Sequence, residues 1–298
     1  MLVAHISDFH ILPPPALCYG FSDPRKGLSR AIAALEGLRT KPDLVVASGD
    51  LVDEPSAEAY RTLKSILDGL TVPLVIIPGN HDDRTALARA LPEHDYLTGF
   101  DGMACFVRDY DAFRLIAFDA VITGREHAEP SDAALTWLDQ TLLSEPARPT
   151  MLVMHHPPIS TGIAFMDAIQ PPNFAGLEAI LHDHPHVRLI LCGHVHRNVD
   201  AVLAHARVAA AGSTAHQFSL LMDLDAPPVV TDEPAAIRLH LWRNGDVVSF
   251  TTPVERGFAT GQFMGMDEAR WREVSAALRA GQGRGAAAPN AAIDQAQS

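Results

Sequence analysis

Five short polar stretches of this 298-residue chain carry residue types that bind metal ions. They are Asp8-Phe9-His10, Gly49-Asp50, Gly79-Asn80-His81-Asp82, His155-His156-Pro157-Pro158 and Gly193-His194-Val195-His196. Together they offer Asp8, His10, Asp50, Asn80, one of His155 and His156, His194 and His196. Carboxylate, amide oxygen and imidazole make a hard-to-borderline donor set suited to Mn, Fe, Co or Zn, and no thiolate biases it toward zinc alone. These donors exceed what one such ion needs. Two ions sharing Asp50 as a bridging carboxylate is the economical arrangement, and ions about 3.5–4 Å apart form the clamp used in phosphoryl hydrolysis. Charge agrees: two divalent ions balance Asp8, Asp50, a hydroxide and a phosphodiester.

Each stretch follows an apolar run of strand type, at residues 2–7, 44–48, 73–77, 151–154 and 187–192. Open α/β sheets bind ligands beyond the carboxyl ends of their strands, so five such loops read as one site. Between the runs, apolar residues recur at helical spacing: Leu28, Ile32, Leu35 and Leu38, then Tyr60, Leu63, Ile66 and Leu67. A further helix starts near Arg84, another runs from the Ser131 cap to Leu143, and another covers 175–184. Strand–helix alternation of this kind predicts parallel sheet with right-handed crossovers. Residues 103–108 and 113–119 read as an antiparallel pair. The texture then changes to short strands over 199–252, closed by an Asn244-Gly245 hairpin turn and interrupted by an acidic, Pro-rich loop at 223–234. A last helix is expected over 267–278. One domain over 1–278 follows, with 199–255 as a β-rich extension and possible dimer surface. The Gly, Ala, Gln and Ser tail at 279–298 is expected to be disordered.

The net charge is −13, with 47 % hydrophobic residues. An acidic chain lacks the counter-ion-releasing surface that nucleic acids require, so no nucleic-acid partner is expected. The three cysteines form no spaced motif and the N-terminus carries no charged leader, which suggests a reducing, cytoplasmic setting. No apolar run reaches the roughly 20 residues of a membrane span. Other histidines read differently: His5 as a core or supporting group, and His182, His184 and His186 as surface residues. Cys192 reads as a small buried residue. Tyr19, Phe21 and His216 are candidates for the substrate pocket.

The ordered set of motifs over residues 1–196 resembles the calcineurin-like metallophosphoesterases. Ala4-His5-Ile6-Ser7-Asp8, Tyr19-Gly20-Phe21-Ser22-Asp23, His81-Asp82-Asp83, His155-His156-Pro157-Pro158 and the stretch at 212–216 are similar to a narrower group. That group is the bacterial class III cyclic-nucleotide phosphodiesterases and their glycerophosphodiesterase relatives. The resemblance implies an α/β fold, a four-layer α/β/β/α sandwich of two mixed sheets flanked by helices. It implies one ion on Asp8, His10, Asp50 and His196, and another on Asp50, Asn80, His155 and His194. It implies a small-molecule phosphodiester substrate, a cyclic nucleotide or a glycerophosphodiester, attacked by hydroxide held on the metal pair. Asn80 would hold phosphate oxygens, His81 would protonate the leaving alcohol, and the protein would form a homo-oligomer. A phosphomonoesterase, a nuclease or a catalytically silent scaffold are the competing readings.

Overall fold

Alternation along the first strand sets the layers. The computed structural model describes residues 1–170, 173–255, 257–259 and 261–280. In chain order its elements are β1 (Leu2–Ile6), α1 (Pro24–Glu36), β2 (Leu44–Ala47), α2 (Ala57–Leu67), β3 (Leu74–Ile76), α3 (Arg84–Ala90), β4 (Phe106–Asp109) and β5 (Arg114–Ala117). They continue with α4 (Asp132–Leu143), β6 (Thr150–Val153), α5 (Ala164–Ile169), α6 (Ala175–Asp183), β7 (Val187–Cys192), β8 (Val199–Leu203) and β9 (Ala206–Ala210). The series ends with β10 (Gln217–Phe218), β11 (Val230–Thr231), β12 (Ala236–Arg243), β13 (Asp246–Pro253) and α7 (Glu268–Arg279).

One sheet runs β13-β12-β1-β2-β3 and the other β4-β5-β6-β7-β9-β8, each mixing parallel and antiparallel pairs. In β1 and β2, Val3, Leu44 and Val46 face the second sheet, where they pack with Leu115, Met151, Val153 and Leu189. Ala4, Ile6, Val45 and Ala47 face the other way, onto Leu28, Leu35, Tyr60 and Leu63 of α1 and α2. The outer face of the second sheet is covered by Leu138 and Leu142 of α4 and Leu177 and Leu181 of α6. Helix, sheet, sheet, helix: this is the expected four-layer sandwich. Because both faces of each central strand are buried, the strands read as continuous apolar runs rather than alternating ones.

Local signals account for the boundaries. Ser56, Asp83 and Ser131 cap α2, α3 and α4 by accepting from the backbone N–H three residues on. Asn244 and Gly245 take φ of 55° and 79°, the left-handed pair that a two-residue hairpin requires. The β-rich segment after residue 199 is divided between the layers: β8 and β9 extend the second sheet, β12 and β13 the first. Three stretches differ from expectation. Residues 218–222 were expected to be a full strand, but β10 holds two residues only. Its partner β11 lies inside the acidic stretch expected to be a loop. The short helix α5 falls between two expected elements, where no helix was expected. All three are too short for periodicity to register, and tertiary packing decides them.

The described residues up to 255 form one unit, and those from 257 to 280 belong to a second. In the second, Asp267 accepts from the backbone N–H of Arg270 and starts α7. The tail expected to be disordered lies, from Gly281 onward, outside the described residues. No helix among the described residues is long and apolar enough to cross a membrane.

Candidate metal centre and its pocket

The five predicted stretches follow the carboxyl ends of β1, β2, β3, β6 and β7, and the structure brings them together. The chain leaves these strands in a costly way. Asp8, His10, Asp50, His194 and His196 all have left-handed backbones, with φ of 53°, 46°, 50°, 70° and 50°. Non-glycine residues there cost about 1–3 kcal/mol each and persist only where the surroundings over-determine them. Cross-ties do so here. The N–H groups of Asp8 and His10 donate to the carbonyls of Gly49 and Asp50, both at 3.0 Å. Ser213 Oγ donates to the Asp8 carbonyl at 2.6 Å, and the N–H of His194 donates to Asp8 Oδ1 at 3.0 Å.

Two glycines let the carboxylates come close. A Cβ on Gly79 would stand 2.1 Å from Asp50 Oδ1, and one on Gly193 would stand 2.0 Å from Ser7 Oγ and 2.6 Å from Asp8 Oδ2. Any side chain at either position would displace a carboxylate.

The donor atoms of Asp8, His10, Asp50 and His196 lie within 4.8 Å of one another, all on buried residues. Hydrogen bonds assign the tautomers. His10 donates from Nδ1–H to Asp53 Oδ1 at 3.0 Å, and His196 donates from Nδ1–H to the His216 carbonyl at 3.2 Å. Both Nε2 atoms therefore carry lone pairs, yet they face each other at 3.0 Å. His155 repeats the pattern. Its Nδ1–H donates to the Ser48 carbonyl at 2.8 Å, which turns Nε2 toward Asp50 Oδ2 (3.3 Å) and Asn80 Oδ1 (3.1 Å). Asn80 is oriented by donating from Nδ2 to Glu126 Oε2 at 3.2 Å, so its oxygen faces inward. His194 brings Nδ1 to 3.2 Å from the same oxygen, and its buried Nε2 has no partner. Buried lone pairs aimed at one another are unfavourable without a positive charge among them. The residues fit divalent metal ions.

Titration follows the same crowding. Burial would raise the carboxyl of Asp50, but His155, His81 and His10 outweigh it and hold Asp50 well below the usual range. Burial opposes charge on His155 too, yet Asp50 and Asp8 raise it to about 9. His156 goes the other way, lowered to about 3 by burial and by His155. It contacts the Glu126 carbonyl through Nε2 at 2.9 Å, so of the two histidines it is His155 that meets Asp50. Asp82, buried next to Asp50, is raised to about 7 while its Oδ2 accepts from the N–H groups of both Gly79 and Leu51.

A pocket of about 340 Å³ opens onto these atoms. Asn80, His81 and Tyr19 line it, together with Phe165, Met166 and Ile169 of α5, and Phe218. His216 is buried behind the lining, its ring 4.6 Å from that of His196 and 5.0 Å from that of Tyr19. Phe21, expected to wall the pocket, is not among its described lining residues. The turn closed by paired hydrogen bonds between Cys18 and Ser22 leaves Phe21 half exposed. Reading the sequence also missed Asp53, which orients His10, and Glu126, which orients Asn80. A lone acid in an aperiodic loop carries no local signal.

Among the other histidines, His5 is buried in β1 and contacts Ser48 Oγ at 2.8 Å. His184 and His186 are buried, not on the surface as expected. His184 faces α4, where Asp139 accepts from its Nε2 at 2.7 Å, while His182 is exposed. Cys192 is buried ahead of Gly193, as expected.

Known proteins carry the same framework. The chain is 33 % identical over 244 residues to a probable glycerophosphodiester phosphodiesterase GpdQ of Arcobacter nitrofigilis, covering 81 % of this chain and 89 % of that one. It is 32 % identical over 191 residues to the 3',5'-cyclic adenosine monophosphate phosphodiesterase CpdA of Escherichia coli K12, covering 62 % and 67 %. A dimetal phosphatase from Danio rerio superposes with a TM-score of 0.64 at 16 % identity, over 86 % of this chain and 96 % of that chain, which shows the shared fold. The family model for calcineurin-like phosphoesterases matches residues 1–198, the span that holds every strand-end donor described above, and the chain belongs to that family.

Proposed function

We propose that the protein is a metal-dependent phosphodiesterase that hydrolyses small phosphodiesters. The observation that carries this reading is the set of inward-facing donor atoms at five strand ends, most of them on buried residues, opening into a pocket sized for a small molecule. Relatives named for glycerophosphodiester and cyclic-nucleotide hydrolysis support it. Asp8, His10, Asp50 and His196 would hold one ion, and Asp50, Asn80, His155 and His194 the other. Bound there, such a pair supplies Lewis-acid polarisation of the phosphoryl group and an acidified water.

The chain's own residues do the rest. Asn80, tied back by Glu126, keeps its oxygen inward. His81 is set by two contacts: its N–H donates to Asp50 Oδ1 at 3.0 Å, and its ring Nδ1–H donates to the Asp53 carbonyl at 2.8 Å. That leaves Nε2 for the pocket. Although burial opposes charge on His81, Asp50 and the Asp53 carbonyl raise its affinity for a proton. In the hydrolysis a water oxygen bonds to phosphorus and the bond from phosphorus to the alcohol oxygen breaks. The departing oxygen takes its proton from His81.

The metals we favour are Mn, Fe, Co or Zn, from the donor chemistry. Homo-oligomerisation is supported by the edge strand β13, which exposes Val248 and Phe250. A reducing, cytoplasmic setting is supported by three unpaired cysteines. The test is initial rates on stripped protein reloaded with Mn²⁺, for 3',5'-cyclic AMP, glycerophosphoethanolamine and the monoester p-nitrophenyl phosphate. Diester turnover above monoester turnover is expected. Bound metal without diester turnover would sink the reading.

A further inference from the structure

Asn80 owes its orientation to a loop without regular structure of its own. Between β5 and α4 the chain leaves the sheet at Asp119 and closes on itself at Glu129, whose N–H donates to the Ala120 carbonyl at 3.0 Å. Val121 and Ala128 form a single antiparallel bridge, and Arg125 N–H donates to the Ile122 carbonyl at 3.0 Å. The tip reaches the site through one residue. The Glu126 carboxylate accepts from Asn80 Nδ2 at 3.2 Å, and the Glu126 carbonyl accepts from His156 Nε2 at 2.9 Å. Thr123, Gly124, Arg125 and Glu126 are exposed, so burial does not hold the tip in place.

Arg84 supplies the hold. It is the first residue of α3, and its guanidinium crosses to the base of the loop. Nε and Nη2 donate to the two oxygens of Asp119 at 2.6 and 2.8 Å. Nη2 also donates to the Val121 carbonyl at 2.6 Å, and Nη1 to Thr123 Oγ1 at 3.2 Å. The Asp119 side chain is 1 % exposed and accepts in addition from the N–H groups of Ala104 and Val121, both at 3.0 Å. A two-pronged arginine–carboxylate pair fixes direction as well as distance, which a point charge cannot do. The short segment 80–84 therefore carries both ends of a closed circuit. It runs from Asn80 to Glu126, back along the loop to Asp119, across to Arg84 and through the backbone to Asn80 again.

We propose that Arg84 is a positioning residue for the hydrolysis: by clamping Asp119, Val121 and Thr123 it fixes the 119–129 loop, and through Glu126 it sets the Asn80 side chain. Its effect on turnover rests on the phosphodiesterase reading above, whereas the positioning itself is observable in metal-free protein. Removing Arg84 alone would strand a buried carboxylate and endanger folding. Arg84→Lys avoids this, keeping the positive charge while giving up the planar fork. The paired change Arg84→Gln with Asp119→Asn removes both charges together and serves as the second variant.

Each variant is made with Glu126 present and with Glu126→Ala, which closes a double-mutant cycle. The first readout is the side-chain amide signal of Asn80 in metal-free protein, by proton–nitrogen correlation, assigned from its loss in Asn80→Asp. Arg84→Lys should shift that signal toward its position in Glu126→Ala, and should shift nothing once Glu126 is gone. The second readout is kcat/KM for 3',5'-cyclic AMP and glycerophosphoethanolamine on protein loaded with Mn²⁺. Groups that directly orient a site residue are worth about 10–100-fold; Arg84 stands one step further out, so a fall of about fivefold, chiefly in kcat, is expected. In the Glu126→Ala background the fall should be less than about twofold. An unmoved Asn80 signal in both variants, or the same change with and without Glu126, overturns the proposal. A moved signal with kcat/KM unchanged overturns the role of Arg84 in the reaction. A moved signal in metal-bound protein that cleaves neither diester upholds the positioning of Asn80 and sinks the phosphodiesterase reading instead.

Discussion

His10 and His196 meet Nε2 to Nε2 at 3.0 Å, each with its Nδ1 hydrogen already given to a neighbour's oxygen. Two lone pairs in that position stabilise the fold only when a cation lies among them. Metal should therefore bind the native state alone and raise its stability. At an ion concentration about 1,000 times the dissociation constant the gain is about 4 kcal/mol, roughly 10 °C in Tm. Calorimetry of stripped protein with and without Mn²⁺ measures it. An unchanged Tm in saturating metal would contradict the assignment.

Asp53 accepts from the His10 ring nitrogen that points away from the donor cluster. Burial raises the Asp53 carboxyl, but His10 and His81 outweigh it and keep it ionised. Partners of this kind fix the tautomer and orientation of a metal-binding histidine, and losing one costs about 10–100-fold in affinity. Asp53→Ala should weaken one of two metal-binding steps by that factor while the far-UV circular dichroism stays unchanged. Titration calorimetry with Mn²⁺ resolves the two steps, and two unaltered affinities would remove Asp53 from this role.

Gly193→Ala places a methyl group against Ser7 Oγ and Asp8 Oδ2. Ser7 is buried and Asp8 is tied through its backbone, so neither yields without moving the β1 loop. Overpacking of this kind costs about 1–3 kcal/mol. The larger effect should fall on metal stoichiometry, which drops below two ions per chain by elemental analysis. Gly261→Ala is the control: its Cβ meets nothing within 4 Å and its backbone is not left-handed, so it should leave stoichiometry unchanged.

The His240 ring is buried between the sheets, contacts Ser249 Oγ and lies 5.9 Å from the His5 ring. Burial, with help from Arg238 and Arg207, lowers its pKa from 6.5 to about 3. The folded value lies below the unfolded one, so the unfolded chain takes up the extra proton as pH falls. Stability contributed by neutral His240 is complete above pH 6.5 and is lost progressively down to about pH 3, by up to ~1.4 kcal/mol per pH unit. Urea unfolding of metal-free protein at successive pH values should show this slope, and His240→Gln should reduce it. Parallel slopes in the two proteins would rule the histidine out.

The donor types were legible in the sequence because each sits directly after an apolar run. A strand buried on both faces announces itself by composition, and the residue after it needs no long-range information to be placed. The order of Asp8, Asp50, Asn80, His155 and His194 along the chain was enough to suggest one site. The helices α2 and α4 were legible for similar reasons, since Ser56 and Ser131 mark their starts and apolar spacing their buried faces.

What the chain order could not decide was everything set by contacts between distant segments. The choice between His155 and His156 depends on which ring turns to Asp50, and that follows from the Ser48 carbonyl more than 100 residues away. Glu126 has no signature until the 119–130 loop brings it to Asn80. His184 read as a surface residue until α4 presented Asp139 to it. Hydrogen-bond direction, tautomer and burial are properties of neighbours in space, whereas strand ends and caps are properties of neighbours in sequence. The sequence by itself determined the donor chemistry and the fold class. Only the tertiary structure decided which donor atoms converge and which side chains line the pocket.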